Sequence, residues 1–198
     1  MILNDRFWDF NNSATVHFSI IHRLGGLLLM YTATKDKIDK FHHEIQWYNK
    51  DDSRRLNKDR MKETSRMLSG YRQNLNELVI IGIAKSIEDL IYDLKEDLKQ
   101  EVDFWKDCEG FLFYDEMKTL RNLNNCIKHS KGIIKRGQKS NNYLLDVKGF
   151  KEDSVINDLN LDLEEFIIQS FMFQMEIFWS KDLRDNPFKK IENYRERV

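Results

Sequence analysis

Between Leu120 and Ser130 the chain reads Leu-Arg-Asn-Leu-Asn-Asn-Cys-Ile-Lys-His-Ser, and these are the residue types that could do chemistry. Leu120, Leu123 and Ile127 recur at helical spacing, so the apolar stripe of an amphipathic helix is complete without help from the polar residues. At ~100° per residue, Arg121, Asn125, Lys128 and His129 then project from one side of that helix, beside the stripe. A guanidinium and an ammonium can hold a phosphate, an amide can orient a ring or a phosphate oxygen, and an imidazole can move a proton near neutral pH.

The order and types of these residues resemble the motif of the HEPN superfamily, small all-helical proteins many of which are metal-independent ribonucleases in toxin–antitoxin, abortive-infection and CRISPR systems. That signature is an Arg followed by a polar residue and then, within four to six residues, a His. Here Arg121-Asn122 supplies the Arg-polar pair, with seven residues before His129. A second alignment, Asn124-Asn125-Cys-Ile-Lys-His, restores four intervening residues and puts Asn124 at the Arg position.

The resemblance implies an endoribonuclease of host-defence or toxin type in which the RNA's own 2′-hydroxyl is the nucleophile. His129 would exchange protons with the 2′-oxygen or the 5′-leaving oxygen, Arg121 would stabilise the phosphate in the transition state, and Asn125 would orient the imidazole or bond the phosphate. It also implies a homodimer that brings two motifs together, and an antitoxin or other partner protein. The alternative that the wide Arg121-to-His129 spacing favours is a non-catalytic, dimeric HEPN-like binding module or partner subunit of a larger defence complex.

Charge supports a polyanion. The formal net charge is −1, but between Met117 and Leu145 lie seven basic residues and no acidic one, whereas the segment from Asp93 to Glu109 is acid-rich. A local positive field attracts RNA whatever the overall balance, and Lys118, Lys128, Lys131, Lys135 and Arg136 are the expected RNA contacts.

Other chemistries lack their residues. Cys108 and Cys126 are not spaced as a redox pair and are too few for a cluster, which suits a reducing cytoplasm. His42 and His43 are adjacent and His17 and His22 five apart, so neither pair shares a helix face as metal ligands must. Glu88-Asp89, Glu96-Asp97 and Glu164-Glu165 read as solvated helix faces. With no Walker loop and no Gly-x-Gly-x-x-Gly, neither a metal nor an organic cofactor is expected. The longest apolar run, Leu24–Tyr31, is far short of the ~20 residues that span a bilayer, and Met-Ile-Leu-Asn-Asp-Arg does not open like a signal peptide, so a cytoplasmic protein without membrane contact is expected.

The elements that must position the motif read as one domain over residues 1–198, an all-α bundle of about five helices. With 41% hydrophobic and 33% charged residues the balance is globular, and a single proline with eight glycines favours helices over a turn-rich β fold. The spacing predicts a long helix over 14–49, a turn at Asp51-Asp52-Ser53, a polar helix to about Gly70, a third from Leu75 to Trp105, the motif helix over 114–131 ending near Gly132, and a last helix from about 160–162 to Leu183. Between residues 133 and 160 the periodicity lapses, and 142–147, bracketed by Gly137 and Gly149, reads as a short strand or flap. The last helix carries apolar residues on more than one face, including Phe166, Phe171, Phe173 and Phe178, which points to homodimerisation.

Overall fold

A computed structural model describes residues 2–44, 54–98 and 103–179. The helices in chain order are α1 (Ile2–Glu44), α2 (Arg54–Leu98), α3 (Phe104–Asp107), α4 (Tyr114–Ser130), α5 (Lys139–Asp146) and α6 (Leu163–Trp179), with a 3-10 turn at Ile156–Asp158 before the last. The all-α bundle expected from the sequence is what forms.

α1 and α2 are its long struts, 43 and 45 residues, each more than 60 Å at ~1.5 Å per residue. They run antiparallel, because Arg23 pairs with Asp89 while Arg72 pairs with Asp39, 2.6 Å away. Leu24, Tyr31 and Ile38 on α1 and Leu68 and Leu75 on α2 are buried at heptad spacing, the seam expected where two helices pack along their length. The two helices approach closely at Gly82, where an added Cβ would sit 3.0 Å from the Leu27 side chain. Glycine there has a packing reason.

α6 fills the angle against α1, α2 and α4. It buries Leu163, Ile167, Phe173, Met175 and Ile177, and its buried Gln174 accepts a bond from Ser86 of α2 at 3.1 Å and donates one to Ser170 at 3.0 Å. Its apolar breadth is therefore largely used inside the chain, leaving Ile168 and Met172 exposed. The helix is the bundle's centre, and its breadth alone does not demand a second subunit.

Several expected boundaries differ: α1 starts at Ile2 rather than near 14, and Trp105 lies in the separate α3 rather than at the end of the helix through Leu75. The polar helix and the one after it form a single α2, since Gly70 only weakens a helix whose apolar seam continues through Leu68 and Leu75. Residues 142–146 belong to helix α5, with Val147 as its C-cap, and form no strand or flap; Gly137 and Gly149 both have positive φ and do punctuate the chain, but Asn142 to Asp146 contains no β-branched residue to favour an extended form. β pairing within the insert reduces to one bridge between Ile133 and Val155. The expected turn at 51–53 and the expected end of the last helix lie outside the described residues.

Candidate functional site

α4 is built to hold one face inward. Met117, Leu120, Leu123 and Cys126 are buried at a spacing of three, Asp115 and Glu116 sit in its first turn where they complement the helix dipole, and Lys128 and His129 sit in its last. The chain leaves through two left-handed residues, Lys131 at φ 53° and Gly132 at φ 72°, whose N–H groups both turn back to the Cys126 carbonyl. The stop expected at Gly132 thus begins one residue earlier, on a lysine.

A pocket of about 280 Å³ opens between α2, α3 and α4. Ala84, Ile87, Ile91 and Leu120 are its apolar walls, and Trp105, Glu88, Arg121, Asn124 and Asn125 supply the rest. The Arg121 guanidinium lies over the Trp105 ring, 4.9 Å from its centre, a cation–π contact that holds an otherwise exposed side chain at the rim. Trp105 is itself fixed, edge-on to Phe104 and with its carbonyl accepting from the Tyr114 hydroxyl at 2.6 Å. Burial pushes the Tyr114 hydroxyl pKa up, with Lys118 opposing it from 5.4 Å above the ring.

Asn124 is 2% exposed, and its amide oxygen has no hydrogen-bond partner among the described residues. A buried acceptor left unpaired costs about 1–3 kcal/mol, which is unusual enough to need a reason. Asn141 and Asn157 also carry buried unpartnered amide atoms, but among these three only Asn124 lines the pocket.

Of the residues expected to be catalytic, the structure brings Arg121 and Asn125 into this pocket and leaves His129 outside it. His129 is exposed, two turns further along α4, so about 12 Å separates it from Arg121 along the axis at ~1.5 Å per residue. Asn122, the polar residue of the Arg-polar pair, turns back to donate to the Lys118 carbonyl at 2.7 Å.

The expected RNA contacts differ in how free they are. Lys118 is held between the rings of Tyr114 and Tyr143, and Lys128 reaches Glu88 at 3.5 Å across the pocket's edge. Arg136 is held by Asp146 at 3.1 Å and Glu152 at 3.8 Å, so carboxylates from elsewhere in the chain offset part of the positive run. Lys131 and Lys135 are exposed and make no ion pair among the described residues. The loop that carries them is pinned by Asn141, fully buried, whose amide donates to the Lys135 carbonyl at 2.9 Å and to the Ser130 hydroxyl at 3.2 Å.

Trp105 and Glu88 are the residues that sequence reasoning missed. Each comes from another helix, and neither has a spacing signal linking it to α4; Asn124 stood in the motif but reveals its burial only in three dimensions. Cys126, inside the motif, is no nucleophile: it is fully buried, and burial pushes its thiol pKa up to about 11. Among the described residues no group of three His, Cys, Asp or Glu is placed to hold a metal ion, and no helix is long and apolar enough to cross a membrane. No protein-family model, curated protein or solved structure matches the chain.

Proposed function

We propose that this chain is a HEPN-like helical protein that binds single-stranded RNA along the α4 face, with Arg121 and Lys128 on phosphates and Lys131 and Lys135 extending the track. The observation that carries the reading is the built end of α4, where Arg121, stacked on Trp105, stands beside two pocket-lining amides on a helix that also carries Lys118 and Lys128. Guanidinium and ammonium groups hold the backbone without reading sequence, and unstacked bases find aromatic and amide partners. The test is titration of a fluorescent RNA octamer at two salt concentrations. Binding that weakens as salt displaces the counterion advantage supports the reading, and binding that is absent or salt-independent removes it.

Cleavage is the second reading, favoured by the exposure of His129 beside Lys128 and Lys131. Because Arg121 lines the pocket and His129 lies outside it, an active site of host-defence or toxin type would be completed by a second copy. A two-fold axis through Asn125 would set Arg121 of each chain opposite His129 of the other, since Asn125 is midway between them in sequence. α2 offers an apolar face for such a dimer: Met67, Tyr71, Leu78 and Tyr92 are all exposed and fall within about 60° of one another around the helix.

A further inference from the structure

We propose that the pocket between α2, α3 and α4 receives one nucleobase carrying an exocyclic amino group, with adenine the best fit, so that the protein reads the strand its cations hold. This deepens the RNA-binding reading of the same face and rests on it. Size and shape come first. A cavity of about 280 Å³ is at the small end for ligand pockets, enough for a single planar ring system and not for a run of nucleotides. Its walls of Ala84, Ile87, Ile91 and Leu120 cover an apolar ring face, and the Trp105–Arg121 stack at the rim extends a flat surface on which a base can lie.

Polarity then selects among bases. Asn124 brings an amide oxygen with no donor, and Glu88 brings a carboxylate to the same pocket. Two acceptors call for a ligand group with two hydrogens, which is what an exocyclic amino group supplies and uracil lacks. Uracil's carbonyl oxygens would instead face the Glu88 carboxylate. An asparagine amide also matches adenine at two points, accepting from N6–H and donating to N7, the pairing that gives asparagine its preference for this base. Asn125, half-buried in the same wall, is a second amide within the site.

The experiment compares three RNA octamers by fluorescence anisotropy: oligo(A), oligo(U), and an octamer of purine riboside, which is adenosine without its amino group. Oligo(A) should bind about tenfold more tightly than the other two, the size of one good amide–base pair. Asn124→Leu should lower oligo(A) to the level of oligo(U) and not lower the melting temperature, because the leucine removes an oxygen that has no partner among the described residues. A purely structural asparagine would give the opposite pattern, a less stable protein with its base preference intact. Should Asn124→Leu fail to fold, Glu88→Gln, at an exposed position, tests the same pairing and should narrow the gap between oligo(A) and purine riboside. Equal affinity for all three octamers overturns the pocket while RNA binding stands, and no binding by any of them overturns both.

Discussion

The two ends of α4 are made differently. From Met117 to Asn125 the helix is clamped: Met117, Leu120 and Leu123 are buried, and Arg121 is held against Trp105 beside a built pocket. From Ile127 to Lys131 the cationic side chains and His129 stand exposed, and the backbone departs through a left-handed lysine. A clamped guanidinium has already lost most of the rotamer freedom that binding would otherwise remove, so the first end suits recognition. The second end contributes charge and an exposed imidazole that makes no ion pair or side-chain hydrogen bond among the described residues. Chemistry there depends on whatever orients His129.

The largest effect that would separate the ends is on cleavage. If the protein cuts RNA, His129→Ala should remove a proton-transfer group worth ~10²–10⁴-fold in rate while leaving RNA affinity within about twofold. Cleavage should survive excess chelator and leave a 2′,3′-cyclic phosphate, because the nucleophile is the substrate's own hydroxyl. Chelator-sensitive cutting, or a fully active His129 variant, would strip the exposed end of its chemistry.

Arg121→Ala should weaken octamer binding by about tenfold or more, through loss of a charge-assisted phosphate contact and of the flat rim over Trp105. Lys131→Ala, at the loose end, should cost only a small factor. Equal losses at the two positions would mean that pre-organisation by Trp105 contributes nothing.

Stability should also differ between the ends. Asn141→Ala should destabilise by about 2 kcal/mol, since it removes a fully buried amide that donates to the Lys135 carbonyl and the Ser130 hydroxyl, and thermal unfolding would show it as a lowered Tm. Lys131→Gly should do the reverse, raising stability by up to about 1 kcal/mol because glycine adopts φ 53° without a Cβ clash. The same variant should flatten the salt dependence of RNA binding by about 0.7 in log–log slope if Lys131 contacts a phosphate on single-stranded RNA. A Tm gain with an unchanged slope would remove Lys131 from the RNA track and keep only its role in the turn.

A smaller test concerns Cys126. Its thiol, pushed up to about 11 by burial, should resist iodoacetamide at pH 8 in the native protein. Because the folded pKa lies above the ordinary value of 9.0, stability should decline as pH rises from about 9 towards 11, where the unfolded thiol ionises and the folded one does not. Rapid native alkylation at pH 8 would show that the buried side of α4 opens readily.

What was legible in the sequence is what periodicity controls. Leu120, Leu123 and Ile127 placed α4 within a residue of its ends, and the heptad run through Tyr31 and Ile38 placed α1 as a strut. Gly70 was misleading because a lone glycine costs a long helix little, and Gly137 and Gly149 marked true turns around a segment that is helical between them. The pocket was not legible, because Trp105 and Glu88 meet Arg121 only through the packing of three helices. Nor was the offset charge: the run without acids from Met117 to Leu145 meets Glu88, Asp146 and Glu152 in space.

The central claim, that the clamped end of α4 binds RNA, is tested most directly by titrating a fluorescent oligo(A) octamer into the wild-type protein and into Arg121→Ala, each at low and moderate salt. The account predicts salt-dependent binding by the wild type, and a variant that binds about tenfold more weakly with a shallower salt slope and an unchanged Tm. Wild-type and variant curves that coincide at both salts would contradict it.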